Sequence, residues 1–109
     1  MRDADIRRIL RTTSLEKYIS DENSKVVDEL HLPVTKSRID IAVVNGRLHG
    51  FEIKSARDTL VRLPHQLEGY SKVFDYLTIV TEEKYYHRLL DFVPDWIGIQ
   101  VCSTKSNGA

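Results

Sequence analysis

Apolar residues recur along this chain with two different periods. Near the N-terminus Ile6, Ile9 and Leu10 stand three and four apart among charges, the spacing of one helical face. With Leu15, Tyr18 and Ile19 they predict a helix over 3–19, interrupted near Thr12-Thr13-Ser14, with Asp3 or Asp5 able to cap its start. Residues 20–24 are a polar loop. Val26 to Leu32 predicts a first strand, ended by Pro33. Residues 37–44 and 48–54 are short apolar runs on either side of Asn45-Gly46, which predicts a hairpin. Pro64 suits the first turn of a helix reaching Asp75, with a stripe of Leu63, Leu67, Tyr70 and Phe74. Residues 76–80 read as a buried strand, 82–91 as a helix and 96–101 as a last strand. The polar residues 103–109 read as a frayed tail.

The predicted order is helix, three strands, helix, strand, helix, strand. The passage from strand 48–54 through the helix to strand 76–80 has the form of a βαβ crossover, which makes that strand pair parallel. A chain of 109 residues holds one such core. The expectation is a single α/β domain over 1–102, a mixed sheet flanked by helices. Tyr70, Phe74, Tyr76 and Trp96 are assigned to its core. Tyr85-Tyr86-His87 is part of an amphipathic helix.

Within the hairpin two acids break the apolar pattern. Asp40 lies in Arg38-Ile39-Asp40-Ile41-Ala42-Val43-Val44, and Glu52 in Leu48-His49-Gly50-Phe51-Glu52-Ile53-Lys54. A carboxylate among β-branched residues is costly unless it is paired or holds a metal. Side chains alternate along a strand, so register decides whether the two acids meet. An unbulged two-residue turn sets Ile39 opposite Glu52. A three-residue loop over 45–47, or a two-residue turn plus a bulge, sets Asp40 opposite Glu52. One of the latter two is expected. Ala42 then faces Gly50, and these small residues are expected to leave room for a ligand. Oxygen donors suit Mg²⁺ or Mn²⁺. Lys54 points to the side of Glu52, where its ammonium can stabilise charge on a phosphoryl group or position a water.

Charge and composition limit the alternatives. Sixteen basic and sixteen acidic residues cancel, which argues against a surface coated uniformly for nucleic acid but leaves room for a local basic patch. Lys36, Arg38, Arg57, Arg62 and His65 cluster in sequence near the acids and are candidate phosphate contacts. Cys102 is the sole cysteine, so neither a disulfide framework nor a cysteine zinc site is expected. It reads as a buried, inert thiol. The apolar runs are too short for a membrane helix and the charged N-terminus is unlike a secretory signal. A cytoplasmic protein without an organic cofactor is expected.

Asp40, an interval, then Glu52-Ile53-Lys54 in strand–turn–strand context resembles the PD-(D/E)xK nuclease superfamily. The similarity spans roughly residues 1–100. Further segments, Met1 to Arg7, Arg38 to Gly46, Glu52 to Ser55, Asp58-Thr59-Leu60, Arg62-Leu63 and Trp96 to Ile99, resemble a small, mostly uncharacterised bacterial family within it. The resemblance implies a restriction-endonuclease-like core of helix-β-β-β-helix-β, followed here by a helix and a strand. It implies Asp40, Glu52 and the Ile53 carbonyl as metal ligands, and Lys54 as the catalytic lysine. It matches Glu29 to an upstream acid of many members, and Gln66 to a polar residue that often faces the site. Outside the resemblance, Glu29 reads equally as an exposed strand residue and Gln66 as part of a polar helix face. Arg38-Ile39-Asp40 departs from the literal Pro-Asp pair. The implied activity is Mg²⁺-dependent hydrolysis of DNA phosphodiesters, with a DNA-repair or phage-defence setting by analogy. The rival reading is a non-catalytic module of the same fold that binds nucleic acid or a protein. A homodimer built through edge strand 97–101 is a third expectation.

Overall fold

The computed structural model describes residues 1–33 and 35–103. Of the expected polar tail, 104–109 lie outside the described residues. The N-terminal helix is broken as expected, into α1 (Asp3–Thr12) and α2 (Glu16–Ser20). At its start the Asp5 carboxylate accepts the Arg2 backbone N–H at 2.9 Å. Then come β1 (Lys25–Leu32), β2 (Ser37–Val44), β3 (Leu48–Lys54), α3 (Leu63–Tyr70), β4 (Tyr76–Glu82), α4 (Glu83–Phe92) and β5 (Gly98–Cys102).

The five strands form one mixed sheet in the order β1-β2-β3-β4-β5. The first three are antiparallel, and β3, β4 and β5 run parallel. The fold is therefore α/β, with helices packed on the sheet. On one side Ile6, Leu10 and Leu15 pack against Ile41, Val43, Phe51, Ile53, Val80 and Cys102. On the other, Leu63, Leu67 and Tyr70 of α3 and Tyr85 and Leu89 of α4 pack with Ile39, Ala42, Leu77 and Ile79. No described helix is long and apolar enough to cross a membrane.

The hairpin takes the three-residue loop. Val44 pairs with Leu48, Ala42 with Gly50 and Ile41 with Phe51. Asn45-Gly46-Arg47 closes the loop, with the Asn45 N–H donating to the Arg47 carbonyl and Gly46 at φ +91°, a conformation glycine adopts without a Cβ penalty. The next pair in this register is Asp40 with Glu52, where the ladder has already parted.

At that point β1 and β2 change face together. Ile39 packs with the α3-side core, yet Ile41 and Val43 belong to the α1-side core. In β1, Val26 packs on the α1 side while Leu30 and Leu32 pack on the α3 side. A regular strand keeps residues two apart on one face. The switch falls at Glu29, whose φ is +56°. Asp28 pairs with Ile41 and Leu30 with Ile39, but Glu29 and Asp40 between them are unpaired. The far half of the β1–β2 hairpin thus turns over the end of β3.

Three expectations need correction. Helix α3 stops at Tyr70 rather than Asp75, although Phe74 still reaches the core because its N–H bonds back to the Tyr70 carbonyl. The last strand begins at Gly98, leaving Trp96 49% exposed, and Tyr76 is 50% exposed at the start of β4. Neither aromatic is core, because a strand end leaves one flank uncovered. Finally, Ala42 and Gly50 leave no room for a ligand. A Cβ on Gly50 would lie 2.9 Å from Ile39 Cδ1 and 3.0 Å from Leu77 Cδ2. That space is filled by core. Accordingly Gly50→Val is expected to lower stability by about 1–3 kcal/mol through overpacking, read as a lower urea midpoint at unchanged slope.

Candidate functional site

Where β2 and β3 part, Ile53 has a backbone N–H without a ladder partner on β2. The Asp40 carboxylate takes its place, Oδ2 accepting that N–H at 2.8 Å. The N–H and C=O of a strand residue point to the same edge, so the Ile53 carbonyl faces the same gap. Two residues of alternation put Glu52 and Lys54 on the α3 side of β3. Both are buried, 4% and 5% exposed. Lys54 Nζ lies 3.6 Å from Glu52 Oε2. Tyr70 fixes the other oxygen, its O–H reaching Glu52 Oε1 at 3.1 Å and the Arg38 carbonyl at 3.0 Å.

These groups floor a cleft of about 910 Å³. One wall is the turned-over hairpin half, with His31, Thr35, Lys36, Ser37 and Arg38. The other is the segment entering α3, with Val61, Arg62, His65 and Gln66. The cleft therefore gathers Asp40, Glu52, Ile53, Lys54, Glu29 and Gln66, together with Lys36, Arg38 and Arg62. Arg57 does not join them. Its neighbour Asp58 lines the cleft but Arg57 does not, and the Arg57 N–H donates to Ser55 Oγ at 3.3 Å. Glu29 is exposed at the rim, paired with Arg38 at 3.2 Å. Gln66 Oε1 is buried and is the one such side-chain atom with no partner among the described residues.

Arg7 of α1 is the residue that periodicity did not single out. Its Nη2 lies 2.7 Å from Glu29 Oε1 and 3.2 Å from Asp40 Oδ1, while Nη1 donates to the Asp40 carbonyl at 3.1 Å. Nε reaches Asp3 at 2.6 Å. In sequence it reads as one more charge on a solvated helix face, and only the Asp3-to-Arg7 spacing of four marks it. Tyr70 was read as core, and core it is, but its hydroxyl belongs to the site.

A family model for bacteriophage P4 protein cII matches residues 5–109. The chain belongs to the bacteriophage P4 protein cII family. Protein cII of Enterobacteria phage P4 is 32% identical over 77 residues, covering 71% of this chain and 29% of that protein. This cII-family chain thus spans less than a third of that relative's length. A solved structure of a protein of unknown function from Silicibacter pomeroyi is similar with a TM-score of 0.56 at 17% identity. It covers 80% of this chain and 57% of the other, and the likeness concerns the fold alone.

Electrostatics in this cII-family cleft are dominated by burial. Burial, then the nearby Asp40 charge, pushes the Glu52 carboxyl up to about 8, against the pull of Lys54 and the Tyr70 hydroxyl. Burial also raises Asp40, opposed by the Ile53 N–H and Arg7. Tyr70 is pushed well above the ordinary phenol range by burial and by Glu52. A carboxyl raised in the folded state binds protons there that the unfolded chain has released. Its stabilising contribution is complete below the ordinary glutamate range and is lost as pH rises through about 8. Metal-free protein is therefore expected to melt lower at pH 8 than at pH 5 on account of this group. Glu52→Gln should melt roughly 5 °C above wild type at pH 8 in EDTA, with the gap closing at pH 5. Parallel melting curves at both pH values would expose a Glu52 that titrates normally.

Proposed function

We propose that this chain is a Mg²⁺- or Mn²⁺-dependent nuclease with a restriction-endonuclease-like core of the PD-(D/E)xK type, acting on DNA phosphodiesters. The observation that carries the reading is the convergence of Asp40, Glu52, Lys54 and the Ile53 carbonyl at one cleft floor beneath a basic rim. The donors are all oxygens, the set hard divalent cations prefer. Both carboxylates are raised by burial, as expected of groups that gain from a cation. Gln66 Oε1 is a buried acceptor in want of a donor such as a metal-bound water.

Asp40, Glu52 and the Ile53 carbonyl would hold the ion. When bound, it would supply charge neutralisation at the phosphate and a more acidic water. The chain's own groups do the rest. Tyr70 and Lys54 each engage one Glu52 oxygen and so fix the carboxylate plane. The Lys54 ammonium is a fixed positive charge for the developing phosphorane. Lys36, Arg38 and Arg62 contact flanking phosphates, which orient the strand without reading its sequence.

The rival reading is a nucleic-acid-binding module of the same fold without catalysis. Among the described residues no group of three or more His, Cys, Asp or Glu side chains is arranged to hold a metal. Purified protein separates the two. Under the nuclease reading Mn²⁺ raises the melting temperature, and wild type cleaves DNA. Asp40→Ala and Lys54→Ala each lower cleavage by roughly a hundredfold or more. DNA binding without cleavage, with a melting temperature indifferent to Mn²⁺, would leave the binding module in place. Separately, Arg62→Ala and Lys36→Ala should each flatten the salt dependence of DNA binding by about one phosphate contact, measured by titrating affinity against salt.

A further inference from the structure

Arg7 Nη2 touches both Glu29 and Asp40, at 2.7 and 3.2 Å. Those two carboxylates come from adjacent strands, at the one position where the β1–β2 ladder is open. Glu29 makes the contact from a left-handed backbone, at φ +56°. A non-glycine residue in that conformation is strained, and such strain persists where the surrounding contacts demand it. Three elements, α1, β1 and β2, are thereby aimed at one point between two carboxylates. A positive charge occupies that point.

We propose that Arg7 is a built-in cation standing where a second divalent ion would bridge Asp40 and Glu29, so that the site takes one metal ion and not two. The inference rests on the metal-dependent reading above. Two-metal hydrolases place their ions about 3.5–4 Å apart, bridged by carboxylates. Here the Asp40 carboxylate faces β3 through Oδ2 and faces Arg7 through Oδ1. A divalent ion held by Asp40, Glu52 and Ile53 thus has its neighbouring position already filled by a guanidinium. The guanidinium is also well anchored. Burial works against its charge, but the Asp3 bond and the charges of Asp3, Asp40 and Glu29 outweigh this and hold its proton more tightly than usual. In this arrangement Arg7 is a positioning residue: it holds Asp40 by its carbonyl and its carboxylate together. It does so without competing for Glu52 or the Ile53 carbonyl.

The test is a count of bound Mn²⁺ on the metal-free full chain, by electron paramagnetic resonance of free Mn²⁺ during titration, with far-ultraviolet circular dichroism confirming the fold. Wild type and Arg7→Lys are expected to take one equivalent. Arg7→Gln is expected to take a second, because Asp40 Oδ1 and Glu29 Oε1 then lack a cation between them, while Arg38 stays on the other Glu29 oxygen. Arg7→Met keeps the aliphatic stem and serves the same purpose if Arg7→Gln fails to fold. Two equivalents in wild type, or one in a folded Arg7→Gln, would overturn the proposal while leaving the metal-dependent reading intact. No Mn²⁺ bound by either protein would overturn both.

Discussion

Where β1 and β2 change face together at Glu29 and Asp40, β2 also parts from β3, and the carboxylate of Asp40 fills that second gap. Oδ2 takes the Ile53 N–H that the parted β2–β3 ladder no longer satisfies. An unmet buried N–H would cost on the order of 1–3 kcal/mol. The bend at that junction lifts His31 and residues 35–38 over the end of β3 as a wall, and the closure at Asp40 keeps β2 and β3 together beneath it. The cleft, the approach of Arg7 and the burial of Glu52 all follow from this one junction.

Buried charge is the second constraint. Glu52 and Lys54 are buried side by side in a strand covered on both faces. Losing Lys54 alone would leave the buried Glu52 carboxyl without its ammonium partner, which costs more than the pair contributes when intact. The same asymmetry explains why Asp40, with an N–H on one oxygen and a guanidinium on the other, tolerates burial although its proton affinity is raised.

Much of this was legible in the sequence. The strand pair at 37–44 and 48–54 follows from alternation around Asn45-Gly46, and the three-residue loop was one of two registers that bring Asp40 to Glu52. The crossover through α3 gave the parallel β3–β4 pair. Other features were not legible. The even positions of β1 read Val26, Asp28, Leu30 and Leu32, apolar on both sides of Asp28, so their order alone does not show that Val26 and Leu30 face opposite cores. Arg57 and Arg62 look alike in sequence, and only the path of the 55–62 loop separates them. Arg7 lies thirty-three residues from Asp40, beyond any local pattern. Exposure of Trp96 depends on where β5 begins, and element boundaries follow tertiary packing more than propensity.

Tyr70 has a consequence beyond holding Glu52. Its hydroxyl spans the Arg38 carbonyl on β2 and the Glu52 carboxylate on β3, so the spacing of the two strands at the open end is set from the helix above them. The aperture of the cleft is thus a property of how α3 lies on the sheet. Leu63 and Leu67, which seat that helix in the core, thereby bear on the width of the cleft through packing and not through charge.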